Sequence, residues 1–155
     1  MEAQFQCDVR DLSRLVTRPK LHLDDTGVAR ALLEIDATRL ASDRQLLGAL
    51  LETFVFQELR RQASWMAEPV DVFHFRDRDD FEVDIVLEQG ALAVAGVEVK
   101  AAATVKESDL RGLRKLRAAA GKRFVAGVVL YDGSAGIAFG DGLFAVPVRK
   151  LWEAA

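Results

Sequence analysis

At 155 residues, half of them apolar and 29% charged, the chain has the size and composition of one globular domain with a full core, which excludes a disordered or fibrous polypeptide. A formal charge of −3 argues against a broad, sequence-independent grip on nucleic acid but leaves room for a local basic patch. The lone cysteine, Cys7, excludes an internal disulfide and fits a reducing, cytoplasmic setting, and with two distant histidines it makes a poor zinc site. No apolar run approaches the roughly 18 residues of a membrane span, and MEAQFQCDVRD lacks the basic and apolar regions of a secretory signal.

Residues 1–18 carry little pattern; DLSRLV reads as a short helix or an irregular arm, and the segment as either an N-terminal arm or the remnant of an upstream region, with the domain proper at 19–155. No GxxxxGK[ST] occurs, so no P-loop nucleotide site is expected. Over 20–24, Leu21 and Leu23 alternate with polar residues as in a short strand, which puts His22 on the polar, solvent-facing side. Asp25 or Thr26 is placed to cap a helix over 27–35.

The clearest helix is predicted over 42–61. Ser42-Asp43-Arg44-Gln45 has the form of a capping box, and Leu46, Leu47, Leu50, Leu51, Phe54, Val55 and Leu59 make the apolar stripe. Glu52 lies at the margin of that stripe, one turn after Gly48, where a residue without a side chain permits close approach. It either reaches the sheet or belongs to a solvated face; Glu58 is the lesser candidate. Residues 70–76 read as a strand carrying His74 as a structural residue, and 76–80 as a charged, solvated turn.

Residues 81–100, FEVDIVLEQGALAVAGVEVK, read as an antiparallel hairpin turning at Gln89, Gly90 and Ala91. Alternation puts Phe81, Val83, Ile85 and Leu87 on one face and Glu82, Asp84 and Val86 on the other, with Gly96, Glu98 and Lys100 together on the second strand. Pairing sums of about 180–182 set Asp84 opposite Gly96 or Glu98, roughly 5–8 Å apart. Two carboxylates that close resist joint ionisation, and a hard divalent cation removes the penalty. Lys100 could then steady a metal-bound water or a phosphate, and Gly96 would leave room for the ion. The same pattern also describes an edge strand with one wet face, Glu98 and Lys100 forming a plain charge pair.

Ser108 is placed to cap a helix that buries Leu110, Leu113 and Leu116 and ends at Gly121. Its other face carries Arg111, Arg114, Lys115 and Arg117, either an ordinary solvated surface or a phosphate-contacting flank. FVAGVVLY, residues 124–131, reads as a strand buried on both sides and parallel to the EVK strand across this helix. Gly-Asp-Gly at 140–142 turns a last hairpin, 137–139 with 143–146, and a short helix or tail follows Pro147.

Asp84, thirteen intervening residues and Glu98-Val99-Lys100 resemble the D…(D/E)xK signature of the PD-(D/E)xK nuclease superfamily, with Val83-Asp84 where that family has Pro-Asp. The longer string GALLETFVFQEL…FHFRDRDDFEVDIVLE…VEVKAA…DLRGLRKL is similar to a C-terminal domain of uncharacterised function attached to many prokaryotic AAA+-type ATPases, from about Pro19 to Trp152. The resemblance implies an α/β, restriction-endonuclease-like α-β-β-β-α-β core with a mixed central sheet flanked by helices. It implies Mg²⁺ or Mn²⁺ held by Asp84, Glu98 and Glu52, the last in a G-x-x-x-E pattern, with Lys100 assisting the attacking water. The implied activity is phosphodiester hydrolysis of DNA or RNA, with Arg111, Arg114 and Lys115 on the nucleic-acid backbone and an ATPase domain or chain as partner. An inactive nuclease-fold module, kept for nucleic-acid binding or protein docking, is the alternative.

Overall fold

Eight strands make one mixed sheet in the computed structural model, which describes residues 2–6, 16–77 and 79–153, with side chains from residue 19 onward. In chain order the elements are β1 (Glu2–Gln6), β2 (Val16–His22), α1 (Thr26–Leu32), α2 (Ala37–Ser42), α3 (Arg44–Ala63), β3 (Asp71–Arg76), β4 (Glu82–Gln89), β5 (Ala93–Lys100), α4 (Arg111–Ala120), β6 (Phe124–Tyr131), β7 (Ile137–Gly140) and β8 (Leu143–Pro147). The strand order is β2-β1-β3-β4-β5-β6-β8-β7. From α3 to β6 the elements run α-β-β-β-α-β, the order expected from the sequence. β4 and β5 pair antiparallel, and β5 and β6 pair parallel across α4, also as expected.

The central strands are covered on both faces. On one, Leu113 and Leu116 of α4, with Leu110 from the 3₁₀ turn before it, pack on Val83, Val86, Val94, Val129 and Leu143. On the other, Val55 and Phe56 of α3 pack on Ile85, Val97, Val99 and Leu130. Each such side chain withdrawn from water contributes about 1.5–3 kcal/mol.

Several local expectations change. At the N-terminus β1 pairs with both β2 and β3, while most of DLSRLV, read as a short helix or an irregular arm, lies outside the described residues. Ser42 does not begin the long helix. It ends α2, its hydroxyl donating to the Arg39 carbonyl, and Asp43 caps α3 by accepting the Leu46 amide at 3.0 Å. A carboxylate in extended geometry satisfies an orphan N–H, so the chain breaks there into two helices. Likewise Asp25 caps α1 through the Val28 amide. Ser108 sits inside the turn before α4, which is capped by Asp109 accepting the Lys106 amide.

The β2 faces are inverted relative to the sequence reading. Leu21 and Leu23 are exposed, whereas His22 is buried. Its ring stacks on Phe56 with centroids 4.2 Å apart, and its Nδ1 lies 3.2 Å from the Thr53 hydroxyl. Helix α3 covers this face, so the two polar residues of β2 that point inward, Lys20 and His22, find partners there instead of water.

Candidate functional site

Two departures from regular strand geometry build the site. Phe73 pairs with Val86 but Phe75 with Val83, so Asp84 and Ile85 together face His74 alone. This is a β-bulge, and it breaks the alternation. Val83 therefore packs beneath α4 and Ile85 beneath α3, although the sequence reading put both on one face. The β4–β5 ladder holds a pairing sum of 182 from Gln89 and Ala93 to Ile85 and Val97, the register that sets Asp84 opposite Glu98. Beyond Ile85 the Val99 amide donates to Asp84 Oδ2 at 2.9 Å. The aspartate side chain thus occupies the gap between the strands and satisfies a backbone donor there.

Glu98 and Lys100 share the side of β5 that faces α4, because a Cβ on Gly96 would point at Leu113 and Leu116. Gly96 accordingly makes room for those leucines and not for an ion. Lys100 Nζ lies 2.7 Å from Glu98 Oε1. Glu98 Oε2 is buried and meets no hydrogen-bond donor. Burial and the charge of Asp84 push the Glu98 carboxyl up to about 7. Burial opposes the charge on Lys100, but the Glu98 carboxylate outweighs it and holds the ammonium above its ordinary value.

From the α3 side a second amine enters. Lys20 Nζ stands 2.5 Å from Glu82, 3.0 Å from Glu52 and 3.5 Å from Asp84 Oδ1. Burial and the nearby Asp84 raise the Glu52 carboxyl. Gly48, one turn before Glu52, has nothing close to where a Cβ would be, so close approach is not its role. Asp84 therefore bridges two groups: Glu52, Glu82 and Lys20 on one side, Glu98 and Lys100 on the other. Four carboxylates share two ammonium groups.

A divalent ion is compatible with part of this arrangement. Among the described residues no three acids, histidines or cysteines stand close enough to hold a metal unaided. Hard ions accept one or two carboxylates and complete their shell with water, and the buried, unsatisfied Glu98 Oε2 beside Asp84 fits that demand. Glu52 fits it less well, since its Oε1 takes the Lys20 ammonium.

The cationic residues of α4 are largely compensated. Arg114 pairs with Glu107 at 2.6 Å, and Lys115 lies 3.4 Å from Asp79 and 4.7 Å above the Phe81 ring. Arg117 pairs with Asp141 at 2.8 Å, while Arg111 is exposed. Sequence reasoning missed Lys20 and Glu82. The inverted alternation of β2 hid the first, and Glu82, although on the strand face shared with Asp84, was given no role without the partner that Lys20 supplies. A cleft of about 870 Å³ beside Gln57, Arg60, Met66 and Pro69 includes none of the cluster residues. No described helix is long and apolar enough to cross a membrane.

Fold and site together define a mixed α/β domain with a carboxylate–lysine cluster at a split between antiparallel strands. The chain belongs to the family described as Domain of unknown function (DUF4143), which matches residues 47–151. Uncharacterized proteins of Mycobacterium bovis and Mycobacterium tuberculosis are each 32% identical to it over 135 residues, covering 86% of this chain and 28% of theirs. The chain thus spans a little over a quarter of the length of these relatives. A solved assembly of Thermococcus gammatolerans McrB AAA+ hexamers with bound McrC is similar at 16% identity and a TM-score of 0.41, over 64% of this chain and 27% of that one.

Proposed function

We propose that this domain is a divalent-metal-dependent phosphodiesterase acting on DNA or RNA. The observation that carries the reading is the Asp84–Glu98 pair, in which one buried carboxylate oxygen lacks a donor and ionisation is held back until about pH 7. Asp84 and Glu98 would hold Mg²⁺ or Mn²⁺, which supplies a water of lowered pKa and neutralises phosphate oxygens. Asp84 is pre-positioned by the Val99 amide, so its orientation costs no reorganisation. Lys100, freed from Glu98 when that carboxylate turns to the ion, would donate to the attacking water or to a non-bridging oxygen. Glu52 would act one step out, through Lys20. Arg111, exposed on α4, is the cation best placed to meet a phosphate backbone; Arg114 and Lys115 would first exchange their acidic partners.

The test is cleavage of supercoiled plasmid and of labelled single-stranded RNA with Mg²⁺ or Mn²⁺. Asp84→Asn, Glu98→Gln and Lys100→Met should each lower the rate about 10²-fold or more, with circular dichroism unchanged. Undiminished cleavage by purified Glu98→Gln rules the mechanism out.

One observation favours a second reading. Lys20 already places a cation among Glu52, Glu82 and Asp84, as in a charge network that never binds metal. The domain would then serve longer relatives as a docking or nucleic-acid-binding module, an AAA+-type ATPase being the partner that the sequence resemblance implies. Calorimetric titration with Mn²⁺ separates the two, because a docking module has no use for the ion at Asp84.

A further inference from the structure

Lys20 has three carboxylate partners that differ in depth. Their side chains are 32% exposed for Glu82, 25% for Glu52 and 13% for Asp84, and the ammonium is nearest the outermost and farthest from the innermost. The lysine backbone is fixed two residues on, where the His22 ring stacks on Phe56 and meets Thr53. The three partners of Lys20 thus lie at increasing exposure in the order Asp84, Glu52, Glu82.

We propose that Lys20 is the positioning residue of the metal site: a resident cation that keeps Asp84 and Glu52 balanced in the empty site and withdraws toward Glu82 when a divalent ion enters. The proposal rests on the metal-dependent reading above. Asp84 Oδ2 already accepts the Val99 amide, and an ion that coordinates the other oxygen, Oδ1, meets the Lys20 ammonium that faces it. Two cations cannot share that oxygen without repulsion, and the one on a flexible stem yields. Glu82, half-exposed and also 4.0 Å from Arg76, holds the displaced ammonium at the rim.

Two measurements on the full 155-residue chain test this. Mn²⁺ affinity, by calorimetry, should rise about tenfold in Lys20→Met and fall in Glu82→Gln, which leaves the ammonium no outer partner. Independently of any variant, acetylation of the unsubstituted chain followed by mass spectrometry should label Lys20 several-fold faster with saturating Mn²⁺ than without, relative to exposed Lys150. Equal or weaker Mn²⁺ binding by folded Lys20→Met, or a Lys20 labelling rate that Mn²⁺ leaves unchanged, overturns the inference while the metal reading stands. Absence of Mn²⁺ binding in both the unsubstituted chain and Lys20→Met overturns both together.

Discussion

Replacing Glu98 by Gln should make the metal-free domain more stable in alkaline solution and leave it unchanged in acid. The Glu98 carboxyl titrates near 7 in the fold against an ordinary 4.5, because it is buried and faces Asp84. Between those values the native state binds a proton that the unfolded chain has released. The acid's contribution is therefore full below about pH 4.5 and is lost as pH rises through about 7. At about 1.4 kcal/mol per pH unit a gap of this size is worth on the order of 2–3 kcal/mol. His22 works in the opposite sense. It is held near 4 by burial and by Lys20, so its contribution is present above about 6.5 and lost as pH falls toward 4. Comparing the two proteins cancels the histidine. Glu98→Gln should melt within about 2–3 °C of the unsubstituted chain at pH 5 and roughly 4–8 °C above it at pH 8. Saturating Mn²⁺ should reverse the order at pH 8. A gap that stays the same from pH 5 to 8 refutes the account of Glu98 as a buried carboxyl forced to ionise.

The remaining predictions concern the frame that holds the site. A Cβ at Gly112 would fall 1.9 Å from the Glu82 carbonyl oxygen, where backbone meets backbone and neither side can yield. Gly112→Ala should cost more than the 1–3 kcal/mol typical of overpacking, and urea denaturation reads it directly. Asp43→Ala should cost about 1 kcal/mol through the lost α3 cap, whereas Ser42→Ala should cost a few tenths at most; equal losses in the same denaturation assay would contradict the assignment of the cap.

Much of the architecture was legible because periodicity and turn residues are local. The β4–β5 hairpin, the α4 crossover and the Gly-rich last turn all follow from spacing along the chain. The gathering of Asp84, Glu98 and Lys100 was legible for the same reason, through register across one hairpin. What escaped depends on contacts distant in sequence. The bulge opposite His74 is set by how β3 meets β4, and it changed the face of Val83 without leaving a mark on the alternation. Lys20 reaches Glu52 and Asp84 across 32 and 64 residues, and nothing near position 20 announces that. Hydropathy misled outright at β2. Alternation there points Leu21 inward and His22 outward, yet a polar side chain goes inside when hydroxyls, rings and carboxylates await it there.

The margins of the sheet bear on how the domain behaves in company. Among the described strands β2 and β7 lie outermost, and an outermost strand offers a template on which a stranger can add. Pro19 lies within β2 and lacks the donor such a recruit would need, while β7 runs for four residues and finishes at Gly140, whose φ of 80° turns the backbone away. Neither border invites extension. A proline in one outer strand and a four-residue length in the other are devices that hinder pairing between copies through the sheet.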